Sequence, residues 1–295
     1  METEATYHLL DGVACGKAVR SRIAAAVGEV RARRGHAPHL VAVLVGEDPA
    51  SQTYVASKVK ACGEVGFRSS LLKKPNDISE AELLELVRHL NTDPEVDGFI
   101  VQLPLPKHIN EERVTLAIAA EKDVDGFHPQ NLGRMMLGLP GYLPATPNGI
   151  VELLKHFEVP TEGKHCVVVG RSNIVGTPMA LLMSRNAYPG NCTVTIAHSR
   201  TRDLPSITRQ ADILIVAIGK PRFITATMVK EGAVVVDVGI HRLADASRKS
   251  GYRIAGDVDF DAVAPHCSWI TPVPGGVGPM TVTSLLLNTL KAAGG

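Results

Sequence analysis

The stretch SQTYVASKVK, residues 51–60, sets a phenol and a primary amine four positions apart, at Tyr54 and Lys58. In a helix that spacing brings both side chains to one face. Read as chemistry, the tyrosine is an acid with a lysine beside it. Read as architecture, the pair is one face of an amphipathic helix. Three further stretches carry unusual side chains. VQLPLP (101–106) ends a buried run with Gln102 and then two prolines that forbid a helix. That glutamine can bond a neighbour across a groove or simply satisfy loop backbone. KDVDGFHPQN (122–131) offers Asp123 and Asp125, either of which could hold an amino-pyrimidine edge. TPVPGGVGPMT (271–281) packs three prolines and three glycines before a helix, which suits close backbone approach to a flat ligand or a hinge.

Elements that alternate in type must position these residues. Val19, Ile23, Val27 and Val30 recur at helical spacing, and HLVAVLVG (39–46) reads as a fully buried strand. A helix through 51–60, a strand near SSLLKK, a helix over 79–91, the strand DGFIVQL and a helix over EERVTLAIAAE follow. Ser79 and Glu82 form a capping-box signature. The segment 138–149 breaks the rhythm with prolines and glycines, and marks a crossing to a second domain. The alternation then restarts with KHCVVVG, TVTIAHS, ADILIVAIG and GAVVVDVG as strands, and MTVTSLLLNTLKAA as the last helix. This order predicts α/β architecture with mostly parallel sheets.

CVVVGRSNIVGTPMALLM (166–183) is a strand, a glycine turn and a helix start, with Gly170 for the turn and Gly176 for close approach of a phosphate. Its spacing misses the usual Gly-x-Gly-x-x-Gly. An NAD site carries an acidic side chain near the end of the next strand. Here TVTIAHSRTR ends in His198, Ser199 and Arg200, and Arg171 sits in the turn. Hydroxyls and cations there favour a 2′-phosphate, hence NADP. The competing reading makes Arg200 and Arg202 a solvated loop.

With 31 basic and 30 acidic side chains, the chain offers no charge excess for a nucleic acid or a membrane surface. Five scattered cysteines, never in a Cys-x-x-Cys pair, argue for reduced thiols in a cytoplasmic compartment and against zinc. The acidic start METEATYHLLDG has no apolar core for a signal peptide, and no apolar run is long enough to span a bilayer. None of the 11 histidines forms a convincing ligand cluster. His36 and His39, on either side of Pro38, are expected in an exposed loop.

In short-chain dehydrogenases a Tyr-x-x-x-Lys dyad lies downstream of the nucleotide loop. Here it lies more than a hundred residues upstream of it, so tyrosine as acid has the wrong chain order. YVASKVKA, VQLPLP, KDVDG, GRSNIVGTPMA and ITPVPGGVGPMT, in this order, resemble the bifunctional methylenetetrahydrofolate dehydrogenase/cyclohydrolase family over most of the chain. The resemblance implies two α/β domains around a cleft, the C-terminal one Rossmann-like with a mostly parallel sheet. The folate-binding catalytic domain would be 1–147, with 280–295 returning to it as a helix. The NADP-binding domain would be 148–279. It further implies NADP-dependent oxidation of 5,10-methylenetetrahydrofolate, hydrolysis of the product to 10-formyltetrahydrofolate, a small-molecule folate substrate and a homodimer.

By motif, the resemblance makes Lys58 the catalytic residue, Gln102 its hydrogen-bonding tuner and Asp125 the pterin anchor. Tyr54 becomes a stacking platform, with Val101 and Leu103 as further substrate contacts beside Gln102. Segment 272–280, through Pro272, Gly275, Gly276, Val277 and Gly278, shapes the folate side. Gly170, Arg171, Ser172, Ser199 and Ile240 match the cofactor contacts, and Arg200 joins them from the charge argument above. Where the family often has a cysteine, this chain has Ala145, which excludes a thiol role there. A folate- or dinucleotide-binding protein without turnover is the competing class.

Overall fold

Residues 7–248 and 251–295 are described in a computed structural model of the chain. The first six residues of the acidic N-terminal stretch lie outside them. The chain divides into two compact units. One takes the chain up to Gly16 together with Thr146–Thr281, and the other takes Lys17–Ala145 together with Val282–Gly295.

The chain opens with β1 (His8–Leu9) and α1 (Gly12–Arg34), then β2 (His39–Val45), α2 (Pro49–Val65), β3 (Arg68–Lys74), α3 (Glu80–Thr92) and β4 (Gly98–Val101). α4 (Glu111–Ala117), α5 (Pro129–Met136) and α6 (Ala145–His156) follow. In the Lys17–Ala145 unit the three strands form a parallel sheet of order β3-β2-β4. Every residue of the central β2 is buried, as its unbroken run HLVAVLV demands of a strand covered on both faces. Val41, Val43 and Val45 join Phe99, Val101, Leu83, Val87, Leu90 and Val114 in one apolar cluster under α3 and α4.

The capping box is formed: Ser79 Oγ accepts from the Glu82 N–H at 3.2 Å, and a Glu82 carboxylate oxygen accepts from the Ser79 N–H at 2.9 Å. The Ser79 hydroxyl also donates to that oxygen at 2.6 Å, and this bond, with the one from the Ser79 N–H, holds the exposed Glu82 carboxyl below its ordinary range. Ser79→Ala is expected to lower the thermal midpoint by about 2 °C. An unchanged melting curve would show that packing alone sets the start of α3.

The second half contains β5 (His165–Val169), α7 (Gly176–Ser184), β6 (Thr193–Ala197), α8 (Leu204–Thr208), β7 (Ile213–Val216) and β8 (Ala233–Asp237). A hairpin of β9 (His241–Ala244) and β10 (Tyr252–Ala255), then α9 (Phe260–Val263), β11 (Cys267–Ile270) and α10 (Val277–Ala292), complete it. Six strands form a wholly parallel sheet of order β1-β11-β8-β7-β5-β6. β5 has β6 on one side and β7 on the other, which puts a topological switch point beside it.

Two expectations need correction, the placement of the chain's start and of His39. The chain's start, expected in the opening domain, supplies β1, which pairs with β11, and so clusters with the nucleotide-type unit. The proline- and glycine-rich crossing at 138–149 does hold the division between the units, at Ala145/Thr146, and α6 begins within it, running through Pro147 and Gly149 in its first turns. His39 is buried, with Nδ1 2.8 Å from the Glu95 carbonyl and Nε2 2.9 Å from Ser70 Oγ. Burial is the largest influence on its ring and lowers its pKa.

Candidate active site

Helix α2 is set by local signals. Asp48 caps it by accepting from the Ser51 N–H at 2.7 Å, Pro49 occupies its first turn, and Gly66 ends it in the left-handed region at φ 80°. Its inward stripe is Ser51, Val55, Lys58, Ala61, Cys62 and Val65. Lysine therefore stands where the helical period calls for an apolar residue. It is 5 % exposed, which is too little for a solvated surface ammonium.

The polar partners of Lys58 explain how it is tolerated. Its Nζ donates to Gln102 Oε1 at 3.3 Å and lies 4.9 Å from the centre of the Tyr54 ring. Gln102 is held from both ends. Its main-chain N–H donates to the Val43 carbonyl at 2.9 Å, and its side-chain Nε2 donates to the Leu103 carbonyl at 2.7 Å. That second bond fixes the amide so that Oε1 faces the lysine. Burial lowers the Lys58 pKa, and the Asp125 carboxylate and Cys62 oppose the shift without cancelling it. Gln102 follows β4 at the carboxyl end of the sheet, on one side of the central β2. Such ends are where open parallel sheets bind ligands.

The two aspartates of 122–131 separate. Asp123 is 2 % exposed and already accepts from the His128 N–H at 2.7 Å and Asn131 Nδ2 at 3.1 Å. Burial raises its carboxyl above the ordinary range. Asp125 is half-buried and acts on Lys58 electrostatically. Val101 has its side chain in the apolar core, and Leu103 packs partly buried against the same cluster. Pro272, Gly275, Gly276, Val277 and Gly278 belong to the other unit, where they lead from β11 into α10.

In that unit a cavity of about 310 Å³ opens at the carboxyl ends of β5, β6 and β7, within the size range of small-molecule sites. It is lined by Gly170, Arg171, His198, Ser199, Thr201 and Lys220 among others, and no carboxylate lines it. Gly176 is required by close approach, since a Cβ there would lie 2.4 Å from the Gly170 carbonyl oxygen. Ser172 Oγ accepts from the N–H groups of Val175 and Gly176, so its hydroxyl shapes the turn itself.

Arg200 is not among the lining residues; its N–H faces His198 Nδ1 at 3.2 Å. Ile240 does not line this cavity either. It stands 58 % exposed, with Cδ1 3.6 Å from where a Cβ on Gly278 would sit. Lys220 and Thr201 are cavity residues that motif reading passed over. The signal for Lys220 was available: ILIVAIGK places it just past the carboxyl end of a buried strand.

Among the described residues no group of three or more His, Cys, Asp or Glu could hold a metal ion. None of their helices is long and apolar enough to cross a membrane.

The parallel sheet with its switch-point cavity defines a dinucleotide-binding α/β protein, and the second unit adds a buried lysine at the end of its own parallel sheet. The family model described as tetrahydrofolate dehydrogenase/cyclohydrolase, catalytic domain, matches residues 10–125. The companion model, the NAD(P)-binding domain of the same family, matches residues 144–294. The chain belongs to the tetrahydrofolate dehydrogenase/cyclohydrolase family. It is 62 % identical to the bifunctional protein FolD of Cytophaga hutchinsonii, over 97 % of this chain and 98 % of that one. Among solved structures it resembles the FolD methylenetetrahydrofolate dehydrogenase/cyclohydrolase of Campylobacter jejuni, with 47 % identity and a TM-score of 0.91 over 98 % of this chain and 99 % of that chain. It also resembles the Trypanosoma brucei enzyme complexed with NADP cofactor and inhibitor, with 37 % identity and a TM-score of 0.92 over 98 % and 97 % of the two chains.

Proposed function

We infer that this chain is a bifunctional one-carbon folate enzyme, an NADP-dependent methylenetetrahydrofolate dehydrogenase and methenyltetrahydrofolate cyclohydrolase. It oxidises 5,10-methylenetetrahydrofolate to the 5,10-methenyl cation and hydrolyses that cation to 10-formyltetrahydrofolate. NADP+ supplies the hydride acceptor. The cavity lined by Arg171, Lys220, Ser199 and Thr201, free of any carboxylate, fits its 2′-phosphate.

The observation that carries the residue assignment is the lysine buried in α2 with its Nζ against Gln102 Oε1. A lysine in water has a pKa of about 10.4 and is a poor base at neutral pH. Burial moves Lys58 toward the neutral amine, and a cationic methenyl ring beside it would push the same way. Lys58 is then the group that takes a proton during water addition. Gln102 aims it, Tyr54 offers a ring face to the folate, and Asp125 holds the amino-pyrimidine edge. Val101 and Leu103 contribute main-chain groups. Segment 272–280 would shape the folate side, and Ile240 would be a cofactor contact.

A homodimer fits β6, the terminal strand of the six-stranded sheet. It has no charged side chain, and its Ile196 is 43 % exposed. Solution mass at micromolar concentration decides that point. Five buried cysteines outside any disulfide agree with a cytoplasmic protein.

The test of function mixes purified protein with tetrahydrofolate, formaldehyde and NADP+, with NAD+ in parallel, and follows NADPH and 10-formyl product together. Prompt formation of both is expected. Folate binding without turnover would support a binding protein instead.

A further inference from the structure

The nucleotide unit contains two buried carboxylates, Asp237 and Asp257, that are not among the residues lining the cavity. Asp237, at the end of β8, accepts at Oδ1 from the N–H groups of Gly239 and Asp257, both at 2.9 Å, and at Oδ2 from the Val258 N–H at 2.9 Å. Burial pushes its carboxyl up to about 6 despite these three donors. Asp257 has no exposed surface. Its Oδ2 accepts from the N–H groups of Ile218 at 2.8 Å and Gly219 at 2.9 Å, and its Oδ1 lies 2.7 Å from His241 Nε2.

The donors Asp257 uses are the first two beyond the sheet ladder. The Ala217 N–H still bonds across to the Val169 carbonyl at 2.8 Å, and at Ile218 the carboxylate takes over. Ile218 lines the cofactor cavity, as does Lys220 immediately after Gly219. At its other oxygen the carboxylate meets His241, the neighbour of Ile240. One buried group thus joins the turn after β7 to the first residue of β9. The joint is close: a Cβ on Gly239 would lie 2.5 Å from Asp257 Cγ, and one on Gly256 would lie 1.8 Å from Asp237 Oδ2.

We propose that Asp257, partnered by His241, is a positioning residue for the dinucleotide, holding the Ile218–Lys220 side of the cavity and the Ile240 turn in the arrangement that receives NADP. The inference rests on the NADP reading above. An apolar side chain in its place would leave the Ile218 and Gly219 N–H groups without this acceptor. Those are the N–H groups that the sheet leaves over at the rim of the binding crevice. Both residues belong to the nucleotide unit and Lys58 to the other, so the two activities should respond differently.

The test uses the full chain as wild type, Asp257→Asn and His241→Ala. It measures NADP+ affinity by titration, dehydrogenase KM and kcat, and nucleotide-free hydrolysis of added methenyl substrate. Asp257→Asn is expected to raise the NADP+ KM by about tenfold or more, and His241→Ala by about threefold. In both, kcat at saturating NADP+ should change less than KM, and hydrolysis should persist. An unchanged NADP+ affinity in folded Asp257→Asn overturns the inference alone. Should that variant fail to fold, an unchanged KM in His241→Ala overturns it. A wild-type protein that does not bind NADP+ overturns the cofactor reading and this inference with it.

Discussion

Lys58→Met is expected to reduce cyclohydrolase turnover by roughly 10³-fold, the scale of a lost proton-transfer group. NADP+ binding and the fold should survive. The substitution is close to isosteric and removes a lone cation from an apolar stripe, so stability at neutral pH should hold or rise. The sign follows from linkage. Burial lowers the Lys58 pKa in the folded chain, so between the folded value and the unfolded one the unfolded chain binds more protons. Wild-type stability therefore gains as pH climbs through that window, and Lys58→Met should lose this gain. Below the window the folded wild type holds a buried ammonium, and there the variant should be the more stable protein.

Lys58→Arg separates two roles that Lys58→Met cannot. A guanidinium keeps the positive charge but does not give up its proton in a protein. If the neutral amine takes the proton, arginine should be as inactive as methionine. A role as a fixed charge would let it keep part of the rate. The wild-type hydrolysis rate should rise with pH to a plateau as the amine deprotonates, and neither variant should show that limb. Hydrolysis within about threefold of wild type in Lys58→Met would remove the lysine from the mechanism.

Much of this site is legible in sequence because its signals are local. The glycine turn at 170–176, the capping box at Ser79 and the alternation of buried runs depend on neighbours within a few residues. The anomaly of Lys58 is equally local, since a helical stripe of Val55, Cys62 and Val65 predicts an apolar residue there. What escaped depends on distant partners. His8–Leu9 is too short to show a period, and its strand partner lies some 260 residues away at β11. His39 opens β2 and finds hydrogen-bond partners on Glu95 and Ser70, which no spacing rule connects to it. α6 is not marked by its sequence, because proline and glycine usually end elements. Pro147 sits in the first turn, where its missing N–H costs nothing, and Gly149 packs on the backbone of Met280. Arg200 and Lys220 mark the same limit. Charge near a strand end proposes both, and only the direction of the backbone after β6 and β7 separates them.

Arg171→Ala is expected to raise the NADP+ KM by roughly 10- to 100-fold, the value of a charge-assisted contact to a phosphate, and to leave the NAD+ KM nearly unchanged. The contrast between the cofactors is the informative quantity, because NAD+ lacks only the 2′-phosphate. A loss shared by both would locate Arg171 on the pyrophosphate or the adenine instead. The cavity predicts how far the preference can fall. Lys220, with its Nζ 5.2 Å from the centre of the Phe223 ring, remains as a second cation, and Ser199 and Thr201 remain as donors. Arg171→Ala should therefore weaken the NADP preference without reversing it. Reversal needs a carboxylate at the end of β6 to engage the ribose hydroxyls, which this chain does not provide. Adding Ser199→Asp to Arg171→Ala supplies one, and the double variant should turn over faster with NAD+ than with NADP+ at equal concentration. If NADP+ remains preferred in the double variant, Lys220 and not Arg171 is the principal reader of the phosphate.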